Sequence, residues 1–402
     1  MRLEADDDFH LTYCTNIHPS HGWDDVLASL RQYAPPLKAR FAPDAPFGIG
    51  LRLSGEASRD LLEGDRLARF REFLDAEGFY VFTLNGFPYG PFHHQTVKEF
   101  VHAPDWRDEE RVAYTLRLVE ILSALLPPGM DGGISTSPLS YITWVDPEDE
   151  ATWDLLIRHL VRVAAAMVRV RQERGQLIHL DIEPEPDGLL GAFGHLADFY
   201  DERLLPRGAP LLAVELGIPE PDARSCLLEH LRVCFDACHV AVGYEDPAAI
   251  LDRYAALGIR VGKVQVSSAL KVPLPDGTEE REATARALAP FADATYLHQV
   301  IQRNQDGTFV RYPDLPEALP KITDPEGREW RVHFHVPVFV DRYATFGSTQ
   351  DELRRVLKLA RERRLTPHLE IETYTWDVLP PGLKADLGAS IAREYAWVID
   401  VF

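Results

Sequence analysis

The chain has 402 residues, 46% of them hydrophobic and 26% charged, and its 42 Lys+Arg against 63 Asp+Glu leave a formal net charge of −21. Such a composition builds a globular protein with ample core, and its negative sign opposes condensation onto nucleic-acid phosphates or anionic lipid. The acidic start, Met1 to Asp8, lacks the basic and apolar regions of an export signal, and the richest apolar run, Leu155 to Val170, is broken by Arg158, His159, Arg162 and Arg169. A cytoplasmic protein without direct membrane insertion is expected. Cys14, Cys226, Cys234 and Cys238 follow no paired spacing and are expected as reduced thiols.

In chain order a short β-rich run, a polar or glycine-containing exit and an amphipathic helix recur. The first run is Leu11 to Asn16, followed by a helix around Trp23 to Tyr33. Phe47 to Leu53 comes next, with a helix over Asp65 to Glu77. Phe79 to Leu84 then leads into a long aromatic exit from Asn85 to His94. Gly132 to Pro138 follows the helix Glu109 to Leu126, and Leu177 to Glu183 follows the helix Glu150 to Arg174. Arg232 to His239 and Arg260 to Ser267 supply the sixth and seventh runs. The eighth, Thr366 to Thr373, follows a helix that starts at Ser348 or Thr349 and places Leu353, Val356, Leu357 and Ala360 on one face. Leu211 to Leu216 lies too close to Arg232 for a full unit and reads as irregular or helical.

Strands separated by single helices imply parallel pairing through right-handed crossovers, and eight of them imply a closed (β/α)8 TIM barrel. A single domain spanning 1–402 is expected, with an insertion over 268–340 between the seventh and eighth strands. That insertion holds three more β-like runs, Thr295 to Gln302, Thr308 to Tyr312 and Arg331 to Phe339. The turn Asn304 to Gly307 predicts that the first two pair as a hairpin. The third run either belongs to the insertion or is itself a barrel strand.

A barrel gathers its strand ends on one face, so residues distant in sequence meet there. The exits offer Glu183 with Glu185 behind it, Asp236 with His239, Gln265, and Glu372 with Glu370 on the same side of its strand. Carboxylates with a neutral donor suit one divalent ion, Mn²⁺, Mg²⁺, Co²⁺ or Zn²⁺, and Glu183, Asp236, Gln265 and Glu372 are the expected ligands. Glu183 and Glu372 are also the expected acid and base for moving a proton on a polarised carbon. Glu372 is preferred to Glu370 because it lies nearer the strand end, which leaves Glu370 for a basic partner or the lower barrel. Each residue has a plainer reading. Asp236 caps the next helix, Gln265 is a structural amide, and the segment Glu183-Pro-Glu-Pro is a solvated loop. The aromatic exit with Asn85, His93 and His94 either covers the site and meets substrate or packs as a loop. His335 is a further candidate for contact with substrate.

This set resembles the xylose-isomerase-like family of TIM barrels, in which a Glu at the fifth strand, Asp-x-x-His at the sixth, a His at the seventh and a Glu at the eighth surround a metal. Glu183, Asp236 with His239, and Glu372 match that pattern, the His being the substrate contact. Gln265 stands where the metal-binding His is common. More narrowly, the chain resembles the EboE family of metabolite-traffic proteins. The stretches that carry this resemblance are Leu11 to Pro19, Asn85 to Tyr89 with His93 or His94, Ile134 to Leu139, Cys234 to His239, Lys263 to Ser267, Tyr296 to Gln299, His333 to Pro337 and Leu369 to Trp376. The resemblance implies a cytoplasmic partner in an operon handling a small metabolite for export. The leading expectation is a metal-dependent isomerase or epimerase of a sugar or cyclitol. The alternative is a non-catalytic carrier of a small, possibly prenylated metabolite. A phosphodiesterase of the endonuclease-IV type ranks last, because the strand exits offer mostly carboxylates rather than a histidine-rich zinc cluster.

Overall fold

Short runs of Val, Ile, Leu and Phe, covered on both faces, favour parallel pairing. They form β1 (His10–Tyr13), β2 (Phe47–Arg52), β3 (Phe79–Asn85), β4 (Gly132–Thr136), β5 (Ile178–Ile182), β6 (Leu231–Asp236) and β7 (Val261–Val266). The insertion then contributes β8 (Leu270–Pro273), β9 (Val300–Asn304), β10 (Phe309–Tyr312), β11 (Gly327–Val332), β12 (Arg342–Tyr343) and β13 (Phe346–Ser348), and β14 (His368–Ile371) returns to the barrel. This computed structural model describes residues 1–3, 8–93, 96–343, 345–380 and 384–402.

The parallel sheet runs β1-β14-β7-β6-β5-β4-β3-β2, and its two ends meet through a parallel bridge from Cys14 to Gly50. The result is the expected (β/α)8 barrel. Its helices follow from local signals. In Glu150–Arg174, for example, Asp149 caps the first turn, Gly175 leaves at φ 69°, and Trp153, Leu156, Leu160, Val163, Ala164 and Met167 form the buried stripe. Leu211 to Leu216 belongs to the helix Leu205–Leu216. Among the described residues no helix is long and apolar enough to cross a membrane. The four cysteines are free.

Alternation along the strands sends every second side chain into the barrel. Thus β5 and the residue after it present His179, Asp181 and Glu183 as one inward column, β6 presents Arg232, Cys234 and Asp236, and β14 presents His368, Glu370 and Glu372. Polar groups fill the middle of this interior. Lys263 on β7 reaches Glu370 at 2.6 Å and Ser135 on β4 at 3.0 Å, with neither ion exposed. Glycines make the room. A Cβ at Gly50 would lie 2.1 Å from Glu370 Oε1, and one at Gly262 would lie 1.9 Å from Asp181 Oδ1.

The insertion is larger than three strands. It is a six-stranded antiparallel sheet ordered β10-β9-β11-β8-β13-β12, and it runs past residue 340 to Ser348. The expected hairpin is present as β9 and β10. The run Arg331 to Phe339 is no barrel strand. It pairs within the insertion as β11, which ends at Val332, and continues as irregular backbone toward the barrel mouth. Trp330, Val332 and Phe334 join the same apolar core as the barrel.

Candidate active site

Glu183, Asp236 and Glu372 leave three different strands and converge at the C-terminal mouth. Each can place one carboxylate oxygen so that all three lie within 4.8 Å of one another, and all three residues are buried. Asp236 Oδ1 accepts hydrogen bonds from the His239 amide at 2.9 Å and the Ser267 hydroxyl at 2.8 Å, whereas Oδ2 has no partner. The capping and site readings of Asp236 are therefore both realised, one oxygen for each. Glu372 Oε1 accepts from Asn16 at 2.8 Å and from Asn85 at 3.1 Å.

Burial, reinforced by repulsion from Glu372 and Asp236, pushes the Glu183 carboxyl well above its usual range. Burial and the neighbouring Asp236 and Glu370 raise Glu372 to about 8. Lys263, one layer below, pulls both down without offsetting the crowding. Packing acids this tightly in a dry pocket costs free energy that a divalent cation would relieve.

Three histidines complete the mouth. His239 donates from Nδ1 to the Pro184 carbonyl at 2.9 Å, and His335 from Nδ1 to the Glu372 carbonyl at 2.8 Å. His333 donates from Nδ1 to Gln299 Oε1 at 2.7 Å, and the Gln299 amide is oriented by its own donation to the Pro186 carbonyl at 3.0 Å. An acceptor at Nδ1 fixes the proton there, so the Nε2 lone pairs turn inward, as they do in metal-ligating histidines. His239 and His333 bring their Nε2 atoms to 3.1 Å, which leaves two lone pairs face to face. Burial, the largest influence on each, lowers the pKa of His239 and of His333, and takes His335 to about 4, so all three are neutral near pH 7. Asp236, His239 and His335 form a second group with metal-ligand spacing, and Glu185, His239 and His333 a third.

The other expected residues divide. Asn85 holds Glu372. His93 lies at the rim, with Nε2 2.5 Å from the Asn16 carbonyl and Nδ1 3.0 Å from the Tyr296 hydroxyl. His94 lies outside the described residues. Gln265 is in register with Asp236 on β6 and Glu370 on β14, and with its amide turned to satisfy both its atoms the nitrogen meets the Glu370 carbonyl at 3.1 Å and Oε2 at 3.2 Å. Glu370 is the buried partner of Lys263. The expectation that carboxylates dominate the mouth needs correction, since His333 and His335 arrive from the insertion and give the site mixed nitrogen and oxygen character. His333, Asn16, Tyr296 and Tyr374 were not singled out by their sequence context. Asn16 could have been, because it follows β1 as Glu183 follows β5.

Phe87, Phe92, Tyr296 and Tyr374 roof the carboxylates, with Phe92 packed against Tyr296 at 4.9 Å and Tyr374 at 5.1 Å between ring centres. The cavity beneath them holds about 50 Å³, room for a few waters. A monosaccharide requires the roof to shift.

No family model and no curated protein matches the chain. Among solved structures, it is similar to a xylose isomerase domain protein from Planctomyces limnophilus, at 14% identity over 92% of this chain and 91% of that one, with a TM-score of 0.47. It is also similar to the IolI protein with a bound zinc atom, at 11% identity over 98% and 99% of the two chains and a TM-score of 0.43. A third likeness is to the probable 3-DHS dehydratase AsbF of petrobactin synthesis from Bacillus anthracis, at 12% identity over 96% and 98% and a TM-score of 0.42.

Proposed function

We propose that the mouth is the active site of a divalent-metal-dependent isomerase or epimerase acting on a sugar or cyclitol. The observation that carries this reading is the trio Glu183, Asp236 and Glu372, buried together within 4.8 Å beside neutral imidazoles. These acids would hold the ion, with His239 and His335 able to complete its shell through Asp236 and with Gln265 as an indirect support through Glu370. When bound, the ion supplies a Lewis acid that polarises a substrate carbonyl or alkoxide. With the ion bound, Glu183 and Glu372 would both be held as carboxylates, and flanking the substrate they would take a proton from one carbon and return it to the other. Asn16 and Asn85 fix the Glu372 carboxyl, and the aromatic roof keeps bulk water from the reacting carbon. His333, which lines the pocket, would meet a substrate hydroxyl, and His93 would support the rim through Tyr296.

The test is purification without added metal, metal analysis, and incubation with a panel of ketoses, aldoses and inososes in heavy water. Retained divalent ion together with deuterium entering the carbon next to the carbonyl, both lost in Glu372→Gln, supports the reading. A metal-free protein that exchanges no substrate hydrogen overturns it.

A carrier role for a small, possibly prenylated metabolite is the second reading, and the four-ring roof favours it. Tight calorimetric binding without turnover would distinguish it. In either role the EboE resemblance implies a partner in an operon for metabolite synthesis or export. Support comes from Asn85, His93, His333 and His335, residues of that resemblance that surround one pocket or its rim. We read 1–402 as one domain, supported by the continuous core, and its location as cytoplasmic, supported by four free thiols.

A further inference from the structure

The inward columns also end at the opposite, N-terminal face. There His179 of β5 and His368 of β14 meet Asp131, which immediately precedes β4. One ligand atom from each lies within 4.8 Å of the others. His179 Nε2 is 3.6 Å from Asp131 Oδ2, and His368 Nε2 is 3.3 Å from Asp131 Oδ1. Ligands about 2 Å from a tetrahedral ion stand roughly 3.3 Å apart, so these separations need little adjustment.

Proton placement favours an ion over a plain hydrogen-bonded triad. His179 Nδ1 lies 2.6 Å from Asp181 Oδ1, which fixes the proton on Nδ1 and leaves a lone pair on Nε2. That arrangement of carboxylate, imidazole and open nitrogen is the one found around bound zinc. Both residues are fully buried, and neither His179 Nε2 nor either ring nitrogen of His368 has a hydrogen-bond partner. The two rings stack at 5.7 Å with an interplanar angle of 24°, side by side and facing Asp131.

Asp131 keeps 23% of its side chain exposed, which opens one coordination position to water. Arg232 donates to Asp131 Oδ2 at 3.1 Å and orients the carboxylate.

We propose that Asp131, His179 and His368 form a second, structural site for a zinc-class divalent ion, joining β5 and β14 to the start of β4 across the barrel floor. Four residue steps lead from His179 to Glu183, about 13 Å of extended chain, so the floor and mouth ions are independent. The bottom of such barrels serves stability rather than chemistry.

Co²⁺ is the probe, because nitrogen and oxygen ligands in tetrahedral array give it intense visible bands. Wild-type protein should bind an ion at the floor besides that at the mouth. In the double variant Asp236→Asn/Glu372→Gln, one equivalent of Co²⁺ should remain with tetrahedral bands and raise Tm. His368→Gln or Asp131→Asn added to that background should weaken the remaining ion at least tenfold. Asp131→Asn alone, at a partly exposed position, should stay folded, lower the wild-type stoichiometry by one and leave turnover unchanged. Retention of the full complement by Asp131→Asn, or absence of tetrahedral Co²⁺ from the folded mouth variant, overturns the floor site. Loss of the mouth ion alone sinks the proposed reaction and leaves the floor site standing.

Discussion

The two ends of the barrel draw on the same inward columns yet solve opposite problems. At the mouth, Glu183, Asp236 and Glu372 crowd together with neutral histidines, and burial raises Glu183 and Glu372 above ordinary carboxylates. At the floor Asp131 faces two imidazoles, one of them backed by Asp181. The mouth crowds three acids, leaves Asp236 Oδ2 without a partner and encloses a cavity beneath aromatic rings. The floor pairs Asp131 with Arg232 and sets two buried imidazoles against it. Crowded acids beside a cavity mark a place for chemistry, and a carboxylate set between imidazoles of distant strands marks a clasp.

The comparison breaks first at the mouth. Asp236→Asn or Glu372→Gln should weaken the mouth ion by at least about 100-fold and slow hydrogen exchange by about 10²–10⁴. Metal analysis and deuterium incorporation check both, and wild-type behaviour would erase the distinction between the two ends. Next comes the layer between them. Lys263→Met should destabilise the fold by about 3–5 kcal/mol, because it strands Glu370 as a buried unpaired charge. Denaturant unfolding measures this, and a loss under 1 kcal/mol would mean the Lys263–Glu370 pair is not what holds the interior.

Gly262→Ala sharpens the contrast. Its Cβ would meet Asp181 at 1.9 Å, so a loss of about 1–3 kcal/mol is expected. With Asp181 displaced, His179 loses its orienting partner, so floor Co²⁺ should weaken while the mouth ion is unchanged. The smallest effect is pH-dependent. Burial raises Glu394 to about 8, although Thr373 donates to it at 2.7 Å. A folded pKa above the unfolded one means the native state holds the extra proton, so this group's contribution to stability falls as pH rises from about 4.5 to 8. Glu394→Gln should therefore match wild type near pH 4 and exceed it by a few degrees in Tm above pH 8. Parallel melting curves across that range would contradict the assignment.

The eight barrel strands were legible because apolar runs end in polar exits, and those exits named Glu183, Asp236 and Glu372 before any coordinates. Glu370 was already expected against a base or in the lower barrel, and Lys263 is that base. His333 was not legible. It follows β11 on backbone without strand periodicity, and no local pattern says that this segment returns to the mouth. The partner of Gln265 was also hidden, since the register that sets it beside both Asp236 and Glu370 appears only once β7 lies between β6 and β14. His179 and His368 sit at period two beneath Glu183 and Glu372. Attention to strand exits alone passes over the floor, although the same alternation points to it.

Anomalous diffraction from crystals soaked in Mn²⁺ or Co²⁺ addresses the mouth most directly. A peak within bonding distance of Glu183, Asp236 and Glu372 is the result expected from three buried acids that share one pocket. Ordered water alone among those carboxyls, at saturating metal, would contradict it.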